Sequence, residues 1–464
     1  MKCTIVIMGA TGDLSRKKLI PAIYNLVKNK KLKDFAVIGV SRSKLKDEEL
    51  LNKSKKYIKK IDKGVWNKLK ERFFYYQTDF NKDKNICDLG LFAKQIENKF
   101  KLPGNRIFYL ATQPRFFEGI SKGFEKCNLT KEKNNWIRVV FEKPFGDNLK
   151  SAIDINKSVK KIFDERQIFR IDHYLGKEIV QNISVSRFTN TIFEPLWKRK
   201  YIDHVQIILT EDFGIEDRGA FYDKYGALKD VVQNHMLQLL SLTAMGVPKK
   251  LDALNIRNEK VKVLKSIKRI QQQNIVLGQY EGYKKEKGVG KSSKTETFAA
   301  IKLFVDNNRW EGVPFYLITG KNMKNKLAAI YVEFKQAKCK LFEKNCKFDP
   351  NHLIMQIQPN EGFYVQLNTK SPRVTQISPV NMEFCHSCVF GPNTPEAYEN
   401  LFYDVMKGDQ SLFVRSDEIE LQWDLMDSIE KKKSKVYSYK KKGYPKEAKK
   451  MIEDDCRYWH LKVK

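Results

Sequence analysis

Thr4-Ile5-Val6-Ile7-Met8-Gly9-Ala10-Thr11-Gly12-Asp13-Leu14-Ser15 opens on a short apolar run rich in β-branched residues and then turns at two glycines. An apolar run of this length suits a strand buried on both faces of a parallel sheet. Gly9 and Gly12 permit a tight strand-to-helix turn, through which the backbone of Gly9, Ala10, Thr11, Gly12, Asp13, Leu14 and Ser15 approaches a pyrophosphate at a helix N-terminus. The spacing is not the full G-x-G-x-x-G fingerprint, because Ala10-Thr11 separates the glycines and the third is missing. The adjoining residues strengthen the reading. Leu19, Ile23 and Leu26 recur at helical spacing within Arg16 to Leu26, and Phe35-Ala36-Val37-Ile38-Gly39-Val40 reads as the next strand, which completes a βαβ unit.

The end of that second strand selects the cofactor. An Asp or Glu there would bind the ribose 2′-hydroxyl of NAD and repel a 2′-phosphate. The chain instead has Ser41-Arg42-Ser43, with no acid until Asp47. Arg42 can make a bidentate, charge-assisted contact with a 2′-phosphate, so NADP is the expected cofactor.

Further strands are expected at Phe73 to Tyr76, Arg106 to Leu110, Trp136 to Phe141 and Ile168 to Ile171, with a helix from Asn148 to Phe163. This alternation predicts an α/β, Rossmann-like, doubly wound parallel sheet over residues 1–172. Beyond it the rhythm changes. Alternating patterns at Val205 to Thr210, Thr297 to Val305, Ala328 to Phe334, His352 to Ile357 and Gly362 to Thr369 predict a larger α+β domain over 173–464, its mainly antiparallel sheet packed by helices. The boundary near 172 puts the cluster around His173 where the two domains meet, a favoured position for ligands. Lys284 to Lys294 reads as a mobile surface loop, and its Gly288 to Ser292 portion lacks the spacing of a phosphate loop.

At 464 residues with 42% hydrophobic residues, the chain is long enough for two cores. A net charge of +32 raises nucleic acid as a partner, but the lysines are dispersed and no zinc-finger, basic-zipper or RNA-binding aromatic pattern accompanies them, so none is expected. No apolar stretch reaches the length needed to span a bilayer, and the Thr4 to Met8 run is too short for a signal peptide. Neither a membrane partner nor export is therefore expected, and eight Cys without a signal suggest reduced thiols in a cytoplasmic protein. Cys385-His386-Ser387-Cys388 has a metal or redox spacing, but Cys339 and Cys346 do not supply a matching pair, and no metal is expected.

Chemistry concentrates in Arg170-Ile171-Asp172-His173-Tyr174-Leu175-Gly176-Lys177-Glu178-Ile179-Val180-Gln181-Asn182. His173, Tyr174 and Lys177 can bind or neutralise a phosphate beside the carboxylate of Asp172. Tyr174 to Asn182 suits a helix start, whose positive terminus favours an anion. A second cluster lies on a helical pattern, Leu228-Lys229-Asp230-Val231-Val232-Gln233-Asn234-His235, where Asp230 and Asn234 share one face and His235 lies one step around.

The Arg170 to Asn182 run resembles the substrate-binding signature of the glucose-6-phosphate dehydrogenase family, and Asp230-x-x-x-Asn234-His235 resembles that family's catalytic helix. The resemblance spans nearly the whole chain in order: Glu142-Lys143-Pro144-Phe145-Gly146, Glu211-Asp212-Phe213-Gly214, Asp217 to Asp223, Arg309 to Phe315, Gly320-Lys321, Gln358 to Glu361 and Phe413 to Glu418. It implies oxidation of glucose 6-phosphate at the anomeric carbon to the lactone with reduction of NADP, the first oxidative step of the pentose phosphate pathway. It also implies His235 as general base, oriented by Asp172, a task that suits imidazole. Lys143 would hold the reacting hydroxyl and the nicotinamide side in register, with Pro144 stiffening its loop. Glu211 and Asp230 would accept hydrogen bonds from sugar hydroxyls. His173, Tyr174 and Lys177, with Lys321 and Lys326, would bind the 6-phosphate. The family's homodimer or higher oligomer, formed through the sheet of the second domain, is expected too.

Departures from the family pattern stand at Gln113 and Phe117, where many relatives carry a proline and a cofactor-touching tyrosine, and at Asp212, where proline is usual. Leu327 and Tyr331 replace basic residues of a second, structural NADP site found in some animal relatives, so that site is not expected. A sugar oxidoreductase acting on an unphosphorylated sugar would lack the Arg170 to Asn182 run. A non-catalytic NADP- or nucleic-acid-binding protein would not keep His235, Asp172 and Lys143 together.

Overall fold

The computed structural model describes residues 1–80, 83–337, 348–373, 377–391, 395–432 and 434–462. The chain forms two compact units. The first comprises Met1–Lys177, Lys250–Arg257 and Pro395–Glu420; the second comprises Glu178–Lys249, Asn258–Thr394 and Leu421–Lys464. The first unit thus runs past residue 172 and takes in two later segments, whose contribution no local pattern announces.

In the first unit, β1 (Lys2–Met8), β2 (Asp34–Ser41), β3 (Phe73–Gln77), β4 (Arg106–Leu110), β5 (Ile137–Phe141) and β6 (Ile168–Ile171) make one sheet. Its order is Phe413–Val414, β6, β5, β4, β1, β2, β3. All pairings are parallel except the short Phe413–Val414 strand, which runs antiparallel to β6. The chain leaves β1 toward β2 and later returns to β4 on its other side, so β1 and β4 flank the topological switch point, where open α/β sheets bind ligands. Ile5, Ile7, Val37 and Ile107 are fully buried, as strands covered on both faces require. The expected helix after the glycine turn is two pieces, a π-helical turn at Ser15–Leu19 and an α-helix at Ile20–Lys28. Asn148 caps the helix Leu149–Lys160 by accepting from Ser151 N at 2.9 Å, and its N-terminus matches the expected start.

In the second unit, β7 (Ile202–Thr210), β8 (Ile275–Tyr280), β9 (Phe298–Phe304), β10 (Pro314–Gly320), β11 (Leu327–Phe334), β12 (His352–Gln358), β13 (Gly362–Lys370) and β14 (Ile377–Cys385) form a second sheet with Val436–Tyr439. The order is β14, β13, β12, β11, β7, β10, β9, β8, Val436–Tyr439. It is mainly antiparallel; the β7–β10 pairing and that of Val436–Tyr439 with β8 are parallel. Sequence alternation found five of these strands. It missed β10 because every residue from Pro314 to Gly320 is buried, which erases alternation.

The expected mobile loop at Lys284 to Lys294 is tied down instead. Asp223 accepts from Tyr283 OH at 3.0 Å, Gly290 N at 3.1 Å and Ser293 Oγ at 2.5 Å. The reduced-thiol expectation is also corrected. Cys87 pairs with Cys127 and Cys385 with Cys388, each with Cα atoms close enough to bridge, while Cys3 is free and buried and Cys456 free and exposed. Cys339 and Cys346 lie outside the described residues. Among the described residues no helix is long and apolar enough to cross a membrane.

Candidate active site

The dinucleotide turn follows β1. Gly9 has φ +90, and a Cβ there would lie 2.5 Å from Ala111 O, so only glycine fits. Gly9 N and Ala10 N donate to Val40 O at 2.8 and 3.1 Å, and Gly12 N donates to Gly9 O at 3.0 Å. Ser15 Oγ donates to the same Gly9 carbonyl at 3.2 Å. Asp13 is paired with Arg16 and Lys17, and the Lys17 hydrogen bond, then that of Arg16, holds its carboxyl below the usual range. Arg42 follows β2 on the surface, its carbonyl accepting from Gln77 Nε2 at 3.1 Å. Among the described residues its guanidinium has no ion-pair partner. Two hydroxyl contacts escape a reading of the sequence. Thr11 Oγ1 lies 3.0 Å from Ser41 Oγ, and Tyr75 OH donates to Ser43 O at 2.5 Å. They tie the glycine turn and the Arg42 loop to one another, and only the strand pairing β1–β2–β3 brings them together.

Lys143 leaves the end of β5, and its bond to Pro144 is cis. The residue before it, Glu142, is buried and accepts from Tyr109 OH at 2.5 Å. Burial raises the Glu142 carboxyl, opposed by the hydroxyls of Tyr109 and Tyr398 and by Lys143. The Glu142 to Gly146 motif does not reveal this anchoring part, since Tyr109 and Tyr398 are distant in the chain.

After β6, Asp172 is buried and accepts from Tyr174 N at 2.9 Å. Leu175 N donates to Asp172 O, and Lys177 N to Tyr174 O, both at 3.1 Å. The run is therefore a turn, and the helix begins only at Glu178, four residues later than the pattern suggests. His173, Tyr174 and Lys177 lie in that turn. A Cβ at Gly176 would meet Ala397 O at 2.6 Å, and Asn400 Nδ2 donates to Gly176 O at 3.1 Å. Lys177 Nζ sits 5.3 Å from the Tyr174 ring centre, and the His173 ring lies parallel to Tyr398, centres 6.3 Å apart.

In the second unit, Glu211 follows β7 and Lys321 follows β10, and the parallel pairing of these strands sets them side by side. Lys321 is buried and ion-paired to Glu211. Its Nζ also lies 5.2 Å from the Phe213 ring centre and 5.4 Å from that of Tyr222. Lys326 is on the surface, 6.0 Å from the Phe213 ring centre.

Asp230 and His235 are both buried, on a nine-residue π-helix, Leu228–Met236, which continues as the α-helix Leu237–Ala244. The winding there closes i→i+5 bonds, where the sequence pattern shows only a helical period. Asn234 turns back on its own helix, where Nδ2 donates to Lys229 O at 3.1 Å and Oδ1 accepts from His235 N at 2.7 Å. Arg218 Nη2 is 3.4 Å from both Asp230 oxygens. The far end of the helix is clamped by buried donors. Arg187 donates to the carbonyls of Leu242, Thr243 and Met245, Trp197 Nε1 to Thr243 O, and Trp310 Nε1 to Ala244 O.

Asp203, His204 and Glu333 also bring ligand-type atoms together, within 4.8 Å of one another. They form a hydrogen-bonded network rather than an open donor set: His204 Nδ1 is 2.9 Å from Asp203, and Arg457 Nε donates to the same carboxylate at 2.7 Å.

The chain matches known proteins over its whole length. Residues 6–182 match the glucose-6-phosphate dehydrogenase NAD binding domain and residues 184–460 the glucose-6-phosphate dehydrogenase C-terminal domain. It is 41% identical over 482 residues to a glucose-6-phosphate 1-dehydrogenase of Bacillus subtilis, covering 99% of this chain and 98% of the relative. A glucose-6-phosphate 1-dehydrogenase of Chlamydia muridarum is 39% identical over 460 residues, with 94% and 91% covered. Among solved structures, a glucose-6-phosphate dehydrogenase in complex with its substrate glucose-6-phosphate aligns with a TM-score of 0.92 at 33% identity, covering 100% of this chain and 99% of that one. The Mycobacterium avium glucose-6-phosphate 1-dehydrogenase aligns with a TM-score of 0.87 at 32% identity, with 99% of both chains covered.

Proposed function

Because the chain belongs to the glucose-6-phosphate dehydrogenase family, we propose that it oxidises glucose 6-phosphate at the anomeric carbon to 6-phosphoglucono-1,5-lactone, the first oxidative step of the pentose phosphate pathway. The observation that carries the reading is that His235 and Asp230 are both buried on one π-helix, in a chain that aligns end to end with a substrate-bound relative.

His235 takes the anomeric hydroxyl proton. As that O–H bond breaks, the carbon–oxygen double bond of the lactone forms and the hydrogen on the same carbon leaves with its electron pair. The nicotinamide, when bound, supplies the acceptor for that hydride. Asp172 orients His235 and stabilises its cationic form. Lys143 holds the reacting hydroxyl, and Glu211 and Asp230 accept from sugar hydroxyls. His173, Tyr174 and Lys177 bind the phosphate with Lys321 and Lys326. The Lys321–Glu211 ion pair implies that substrate enters by sharing this pair, its phosphate taking part of the lysine's charge and its hydroxyl part of the carboxylate's capacity.

NADP is the cofactor that fits best. Arg42, with no ion-pair partner among the described residues, carries a positive charge at the strand end where an acid would select NAD. Gly9 to Ser15 would hold the pyrophosphate. The minimal active species is a homodimer formed through the second sheet. Val380 and Met382 of β14 are exposed, as are Leu367 of β13 and the adjacent Val389 and Phe390, more apolar edge than a lone chain would leave in water.

The test is the absorbance of reduced nicotinamide with glucose 6-phosphate or glucose, each with NADP or NAD. The expected result is fast reduction of NADP by glucose 6-phosphate and little with glucose. In the same assay His235→Asn should lower turnover by roughly 10²–10⁴-fold, the range for general-base catalysis, and abolish the acid limb of the pH profile. Near-parental turnover in that variant would assign the base elsewhere.

A further inference from the structure

We propose that Glu296 is a positioning residue for this reaction, fixing from the segment that leads into β9 the start of the helix that carries Asp230 and His235. The inference rests on the function proposed above.

The helix Gly219–Ala227 does not run smoothly into Leu228–Met236. Gly226 has φ +62 and ψ −177, which breaks the winding and leaves the next amides without intrahelical acceptors. Glu296, just before β9, supplies both. Its carbonyl oxygen accepts from Ala227 N at 2.9 Å and its Oε1 accepts from Leu228 N at 3.0 Å. Gly226 also makes the room, since a Cβ there would overlap Oε1 and lie 2.7 and 2.9 Å from the other carboxyl atoms. A carboxylate at this point faces the positive end of the helix. Asp230 comes two residues after the amide it holds, and His235 one i→i+5 step later. With the far end clamped by Arg187, Trp197 and Trp310, the position of the base along its axis depends on this contact.

Burial raises the Glu296 carboxyl to about 7, against the lowering effect of the Leu228 amide. Glu430 pushes it up further and Lys229 pulls it down, and the buried phenols of Tyr222 and Tyr283 also feel its charge. An ionisable group is costly there, and the Leu228 contact is strongest when it is ionised.

Glu296→Ala should fold yet lose about 10–100-fold in turnover, the scale of a base displaced by an ångström or less. The acid limb of its pH profile should also shift, which a mere loss of folded molecules cannot produce. Glu296→Gln keeps an acceptor for Leu228 N and should restore turnover and the limb. Should Glu296→Ala not fold, Glu296→Asp takes its place: one methylene shorter, it cannot reach Leu228 N and should show the same defects. The inference is overturned if Ala or Asp retains parental turnover and profile, or if Gln is as impaired as Ala. Failure of the parent reading is separable, because it would appear as activity surviving in His235→Asn whatever Glu296 does.

Discussion

Arg42 and Lys177 carry opposite ends of the proposed chemistry, and each can be removed without opening a core. Arg42 sits on the surface with no ion pair among the described residues, so its charge is available to a ligand. Arg42→Ala should raise the Michaelis constant for NADP roughly tenfold or more, the worth of one charge-assisted contact, and barely change that for NAD. Equal changes for both cofactors would remove it from the 2′-phosphate site. Lys177→Ala should weaken glucose 6-phosphate binding strongly while any slow oxidation of free glucose persists; parallel losses with both sugars would mark a folding role instead. The residue types and their order told of both from the sequence alone. The ion pair between Lys321 and Glu211, by contrast, joins residues 110 positions apart and depends on β7 and β10 lying side by side.

At the scale of elements, the informative departure is the π-helix Leu228–Met236. Helical periodicity was legible there, but not the i→i+5 winding, because the same side chains suit both hydrogen-bond patterns. The ends of the helix are held from elsewhere in the chain, by Glu296 at the start and by Arg187, Trp197 and Trp310 beyond the finish. The Glu296 carboxyl links this arrangement to pH. Its value rises on folding from the ordinary 4.5 to about 7, so the folded chain binds more protons between those values and stability falls as pH rises through that window. Glu296→Gln cannot titrate, so its advantage in melting temperature over the parent should grow from pH 4.5 to 7 and then level off, worth roughly 3 kcal/mol at most. A constant difference across the window would mean that Glu296 does not titrate there.

On the scale of the whole molecule, the second sheet ends in a wide apolar edge at β13 and β14. Light scattering should give twice the chain mass, and Val380→Glu with Met382→Glu should shift the species toward the monomer. A parental monomer with full activity at low concentration would refute association through this sheet. Disulfides belong to this scale too. Cys87 and Cys127 are 40 residues apart and meet only because their segments pack together, which composition could not disclose.

Strands β1 to β6, the glycine turn, the cation at Arg42 and the candidate acid–base residues were fixed by local order in the chain. A parallel sheet buried on both faces writes apolar runs, a pyrophosphate turn demands glycine, and catalysis demands particular side chains. The π-helical winding of Leu228–Met236, the Glu296 cap and the Tyr75 and Tyr109 anchors were decided only by tertiary structure. Each joins groups that are far apart in sequence, or depends on which backbone amides find acceptors, and hydrogen-bond satisfaction is a property of the packed molecule rather than of any one segment. The later start of the helix at Glu178 has the same origin: Asp172 captures the Tyr174 amide, and the chain must complete that turn before a helix can begin.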